Sequence, residues 1–186
     1  NSFKLRHICV FSIFKNIKIK KNLVLIGMMG SGKSTIGNII AKKIKFDFID
    51  TDLEIEKIEE KTIKRIFDEK GEKYFRSLEE SISLEKLKLK SKVISLGGGG
   101  FLNFAVRREV LKESISFWLN WKNDTLVKRI INNKKRPVIV NLSSKELVKM
   151  IKLRSHTYKN ANFKIDCDNL EKKEIADKII KIYEKK

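Results

Sequence analysis

Cysteine, histidine and proline are all scarce in this chain of 186 residues, and each shortage narrows what it can be. Cys9 and Cys167 stand far apart without metal-ligand spacing, which excludes a disulfide framework and a zinc site and points to a reducing compartment. His7 and His156 form no paired ligand pattern. Pro137 is the only proline, and neither an internal repeat nor a low-complexity linker divides the chain. No apolar run approaches the roughly 20 residues that span a bilayer, so no membrane helix is expected.

Acidic residues are also in deficit: 42 Lys and Arg against 23 Asp and Glu leave a formal net charge of +19. Such a charge suggests a polyanion partner. However, the basic residues are mostly Lys scattered among Ile and Asn along the whole chain, which is the pattern of solvated faces, and no nucleic-acid partner is expected. The first 22 residues carry Lys4, Arg6, Lys15, Lys18, Lys20 and Lys21 and no acid. Transit peptides share that bias but favour Arg and Ser, in which this segment is poor, so residues 1–21 read as a basic extension of a cytoplasmic protein. An organelle is the alternative if they are a targeting segment.

One domain is expected over 22–186, since that length buries a single good core. Short apolar runs alternate with helical periodicity, the signature of a parallel sheet covered by helices. Leu23 to Ile26 reads as a buried strand, and Ile36, Ile39, Ile40 and Ile44 then fall on one helix face. Further strands are expected at Phe46 to Asp50, Lys92 to Leu96, Ile115 to Leu119 and Phe163 to Asp166, with helical pattern over much of 52–89 and over 171–185. The fold class is therefore α/β, a three-layer, doubly wound, five-stranded parallel sheet whose ligands lie beyond the carboxyl ends of its strands.

Directly after the first strand, Gly27-Met28-Met29-Gly30-Ser31-Gly32-Lys33-Ser34 fits G-x-x-x-x-G-K-[ST] and opens a helix. The glycines let backbone N–H groups close around phosphate oxygens, and the helix N-terminus adds partial positive charge at the same place. Gly30 to Thr35 are the expected ATP contacts, with Lys33 reaching the β and γ phosphates and Ser34 offering its hydroxyl to Mg²⁺. After the second strand, Asp50 and Asp52 are two apart, so in an extended chain both carboxylates face the loop. One of them can complete a magnesium shell while the other polarises an acceptor hydroxyl; helix capping is the plainer role for an Asp there. The third strand does not end in Asp but runs into Gly97-Gly98-Gly99-Gly100, which makes Asp50 the metal-side carboxylate. Those glycines permit close approach of a ligand to backbone N–H groups.

Taken together these residues resemble the shikimate kinase family over nearly all of 22–186. The family's markers occur in order: the loop at 27–34, Asp50-Thr51-Asp52, Gly71-Glu72 with Phe75-Arg76 and Glu79, Gly97-Gly98-Gly99, Arg136-Pro137, and Arg154 with Tyr158. The resemblance implies a P-loop kinase with a small substrate-binding helical region and a lid. In such an enzyme Asp52, Arg76, Gly98, Gly99 and Arg154 bind shikimate, through its hydroxyls at Asp52 and its carboxylate at the arginines. That assignment suits the chemistry, because a guanidinium is a planar fork matched to a carboxylate. It further implies that Arg136 sits on the mobile lid and stabilises the transferring phosphoryl group, with Lys33 and Asp52 as the other catalytic residues, and that Arg129 lies beside the adenine.

Two positions depart from the family pattern: His156 stands where a proline is common, and Gly100 replaces a small residue that is usually not Gly. The implied reaction moves the γ-phosphoryl of MgATP to the 3-hydroxyl of shikimate, by a monomer. Another P-loop kinase, for a nucleoside monophosphate or gluconate, is the alternative within the fold, and a nucleic-acid-binding protein is the alternative outside it.

Overall fold

A computed structural model describes residues 20–132 and 142–186. Most of the basic extension expected over 1–21, and Arg136, Pro137 and the expected lid segment around them, lie outside the described residues.

Strand β1, Asn22–Ile26, is buried at every position because it is the central strand, flanked on both edges and covered on both faces. The sheet order is β2-β3-β1-β4-β5, with β2 at Asp47–Asp50, β3 at Lys92–Ser95, β4 at Ser114–Asn120 and β5 at Phe163–Asp166, all parallel. The five expected strands therefore form, with ends shifted by a residue. On the outer edge strand the apolar run gives way to charge: Asp47 is in register with Lys92 and ion-paired to it.

The first crossover helix, α1 (Lys33–Ile44), buries Ile36 and Ile40, with Ile39 and Ile44 packed against the core, as its periodicity predicts. Gly37 lets this helix lie close on the sheet, since a Cβ there would meet the Phe48 ring and, at 3.2 Å, Leu25 Cδ1. Helical pattern over 52–89 resolves into α2 (Thr51–Glu59) and α3 (Ile63–Leu87). The latter kinks at Gly71, whose φ of 79° only glycine adopts freely. Next come α4 (Phe104–Glu113), α5 (Asn123–Ile131), α6 (Ser144–Tyr158) and α7 (Lys172–Tyr183).

Right-handed crossovers put α1 on one face and the helices between β2 and β5 on the other; α7 packs along α1. Because all strands are parallel, the loops after β1, β2, β3 and β4 lie at one end of the sheet, and the strand order turns about β1, with β3 on one side and β4 on the other. Among the described residues, no helix is long and apolar enough to cross a membrane.

Candidate active site

The loop between β1 and α1 is shaped by Gly27, Gly30 and Gly32, with φ of 145°, 76° and 87°. Its backbone closes on itself where Ser31 N–H donates to the Met28 carbonyl at 3.2 Å. Lys33 is buried, and its ammonium donates to the carbonyls of Gly27 (2.9 Å) and Met28 (3.1 Å). A cation with carbonyl dipoles around it gains far more from an anionic phosphate oxygen, so the side chain is placed to exchange these partners for a nucleotide. The Ser31 hydroxyl, also fully buried, has no hydrogen-bond partner among the described residues.

The two carboxylates after β2 do not share a direction. The chain is extended only to Asp50 and turns helical at Thr51, because Asp50 is the N-cap of α2 and accepts from Asp52 N–H at 3.0 Å. The expectation of two extended-chain neighbours on one side is corrected accordingly. Asp50 also accepts from the Ser34 hydroxyl at 2.5 Å, on the phosphate side. Asp52 turns instead toward the glycine run: a Cβ on Gly97 would come within 2.5 Å of its Oδ1. Thr51 between them accepts from Gly97 N–H at 2.9 Å and so ties α2 to the end of β3.

Beside the loop opens a cleft of about 830 Å³ lined by Gly30, Ser31, Gly32, Thr35, Ile36, Ile39, Trp121, Arg129 and residues 170–173. Arg129 is exposed on this cleft, and its guanidinium lies 3.7 Å from the centroid of the Trp121 ring. Behind the cleft, Asp168 ties the segment after β5 to the start of α5 by accepting from Lys122 N–H at 2.7 Å and from the Thr125 hydroxyl at 2.9 Å. Trp121, Asp168 and the 170–173 segment were not marked by sequence motifs; only the rule that ligands sit past strand ends could have found them.

On the other side of the loop a recess of about 30 Å³ is lined by Met29, Asp52, Ile63, Phe67, Phe75, Arg76, Glu79, Gly98, Gly99 and Arg154. Every acceptor-side residue expected from the sequence is therefore brought together. Arg76 donates to Glu79 at 2.7 Å and to Glu72 at 3.1 Å, and lies over the Phe75 ring. Burial works against the Arg76 cation, yet Glu79 and Glu72 outweigh it and leave its pKa above the ordinary value. Glu79 is 4% exposed, and burial pushes its carboxyl above the usual range even though Arg76 and Arg154 pull it down. Arg154 is buried on α6, with Nη1 3.9 Å from Met28 Sδ. Tyr158, one turn on, donates to the Gly98 carbonyl at 2.5 Å; its burial pushes the phenol pKa up to about 12. The glycines leave room here: a Cβ on Gly99 would displace the Arg76 guanidinium, and one on Gly98 would lie 3.3 Å from Met29 N. The helix α6 runs unbroken through the exposed His156, so the missing proline leaves Arg154 in place.

The family model "Shikimate kinase" matches residues 29–184. The shikimate kinase of Bacillus subtilis is 39% identical over 169 residues, covering 87% of this chain and 88% of that protein. That of Bacillus pumilus is 38% identical over 167 residues, with the same coverage. Among solved structures, shikimate kinase from Acinetobacter baumannii in complex with shikimate superposes with a TM-score of 0.83 at 27% identity, over 92% of this chain and 95% of that one.

Proposed function

The chain belongs to the shikimate kinase family, and on that premise we propose that its two recesses divide one reaction between them. The protein is an ATP-dependent kinase that transfers the γ-phosphoryl group to the 3-hydroxyl of shikimate, giving shikimate 3-phosphate and ADP. In this reading the large cleft takes the nucleotide, with the base beside Arg129 and the phosphates in the loop from Gly30 to Thr35. The recess at Asp52, Arg76 and Arg154 takes shikimate.

One observation carries the acceptor assignment: two guanidinium groups, Arg76 and Arg154, and two carboxylates, Asp52 and Glu79, converge on a glycine-floored recess that borders the phosphate loop. A molecule bearing one carboxylate and several hydroxyls satisfies that set, with Arg76 and Arg154 on its carboxylate, Gly98 and Gly99 approaching it through backbone, and Asp52 on the reacting hydroxyl. The recess is small, about 30 Å³, and movement of a lining side chain would enlarge it. Arg76, held by Glu72 and Glu79 and about a third exposed, is the residue placed to do so.

Magnesium suits the oxygen donors present: the Ser34 hydroxyl and the Asp50 carboxylate meet at 2.5 Å on the phosphate side, and one carboxylate with water and phosphate oxygens is its ordinary shell. When bound, the ion neutralises charge building up on the transferring group. Ser34 and Asp50 would hold it. Lys33 leaves the loop carbonyls for the phosphates, Asp52 orients the acceptor and draws its proton, and Arg136 supplies a further positive charge.

Coupled ADP release from MgATP tests the reading, with shikimate, gluconate and nucleoside monophosphates offered in turn. Turnover that depends on shikimate alone is expected. Turnover on another acceptor would transfer the recess to that acceptor and overturn the roles given to Arg76 and Arg154.

A further inference from the structure

Trp121 belongs to no motif, yet it is placed between two parts of the nucleotide cleft. It follows the last residue of β4, is 8% exposed, and its indole N–H donates to the carbonyl of Ser31 in the phosphate loop at 2.9 Å. Its ring carries the Arg129 guanidinium at 3.7 Å from the centroid, within the range of a good cation–π contact. Arg129 also lies over Gly30, where a Cβ would stand 3.6 Å from its own Cβ. A long, exposed arginine is thus held against an aromatic ring that is itself hydrogen-bonded to the phosphate loop.

We propose that Trp121 is a positioning residue for the nucleobase: it holds one face of the Arg129 guanidinium so that the opposite face is presented, pre-oriented, to the purine of ATP. The inference rests on the reading of Arg129 as the base-side cation. A free arginine must give up side-chain rotamer freedom to stack on a base, and a guanidinium already fixed on an indole has done so before the nucleotide arrives. The Ser31 carbonyl, as acceptor of the indole N–H, sets the orientation of the ring. Trp121 therefore acts on the adenosine end of the nucleotide through Arg129, not on the triphosphate.

The test is calorimetric titration of ADP and of inorganic tripolyphosphate into the purified full-length wild type and four variants: Trp121→Leu, Trp121→Phe, Arg129→Ala and the Trp121→Leu/Arg129→Ala double variant. Loss of the stacked plane should weaken ADP roughly three- to tenfold in Trp121→Leu. Tripolyphosphate affinity and the KM for shikimate should stay within about twofold of wild type, while Trp121→Phe, which keeps an aromatic face, should recover most of the ADP affinity. In the double variant, Trp121→Leu should add nothing to Arg129→Ala. Trp121 is buried, and a purely structural role would appear in Trp121→Leu as equal weakening of ADP and tripolyphosphate, which would overturn the proposal. An additive double variant, or an unaltered ADP affinity in Trp121→Leu beside a weakened Arg129→Ala, would also overturn it and leave the Arg129 reading standing. If Arg129→Ala binds ADP normally, both fall, and shikimate-dependent turnover by that variant would show that the kinase reading survives.

Discussion

The nucleotide cleft and the acceptor recess meet at one loop but are built on opposite plans. The cleft is wide, about 830 Å³, and its phosphate end is formed from backbone shaped by three glycines of positive φ, with a lysine held on carbonyls. The recess is small, about 30 Å³, and among its working groups Arg76 is already engaged with Glu79 and Glu72. Backbone donors need no partner other than the phosphate and serve any nucleotide triphosphate enzyme. Ion-paired side chains have to be re-partnered by the right acceptor, which makes the recess the part that discriminates.

That contrast can be broken from either side. Lys33→Met should leave shikimate binding intact and lower kcat by roughly a hundred- to a thousandfold, the cost of losing one well-placed charge donor, as read from the coupled assay. A near-normal kcat would remove Lys33 from the mechanism. On the acceptor side, Gly99→Ala drives a methyl group into the Arg76 guanidinium. Displacing a charge-assisted donor should raise the KM for shikimate roughly ten- to a hundredfold while ADP affinity holds. Equal losses in both substrates would mean that the two sides are not separable.

Glu79 sharpens the comparison further, because it anchors Arg76 from a buried position. Glu79→Gln should raise the KM for shikimate roughly three- to tenfold, with little change for ADP. Its pH behaviour has a definite sign. Burial raises the folded pKa of Glu79 above its unfolded value, so the stabilising contribution is full below the ordinary carboxyl range and is lost as pH rises through the folded pKa. Glutamine cannot titrate, so the Tm advantage of wild type over Glu79→Gln should shrink as pH rises from about 4 to 7. An advantage that widens with pH would show that pairing to Arg76 outweighs burial.

What could be read from the chain divides along the same boundary. The phosphate loop and the strand that precedes it were legible because both are local: a fixed spacing of Gly, Lys and Ser after a run of apolar residues. Strand ends and the two-sided burial of β1 followed from the same alternation. The separation of Asp50 from Asp52 was not, although the preference of Asp for an N-cap was the available signal, because the point where β2 yields to α2 depends on the Ser34 and Gly97 contacts. Glu79 carried a usable clue as well: three residues beyond Arg76 on a helix, it had to share that face. Trp121 carried none, since Ser31 lies 90 residues away and only the closed sheet brings them together.

The smallest expected effect concerns the fourth glycine. Gly100 begins the 3₁₀ turn Gly100–Leu102, its φ is not positive, and an added Cβ would find Leu96 Cβ at 3.7 Å and Glu79 Oε1 and Ser83 Oγ at 3.9 Å, ordinary contact distances. Its N–H donates to the Gly97 carbonyl at 3.0 Å, a bond that alanine keeps. Nothing in the folded state therefore requires glycine here, while the unfolded chain loses freedom when a Cβ is present. Gly100→Ala should leave both KM values unchanged and stabilise the protein by about 0.4–1 kcal/mol, seen as a small rise in Tm. Since Gly99→Ala one residue earlier is expected to cripple acceptor binding, the pair separates glycine kept for space from glycine that is merely present. A Gly100→Ala variant that loses shikimate affinity would mean that the whole run must flex for the recess to open.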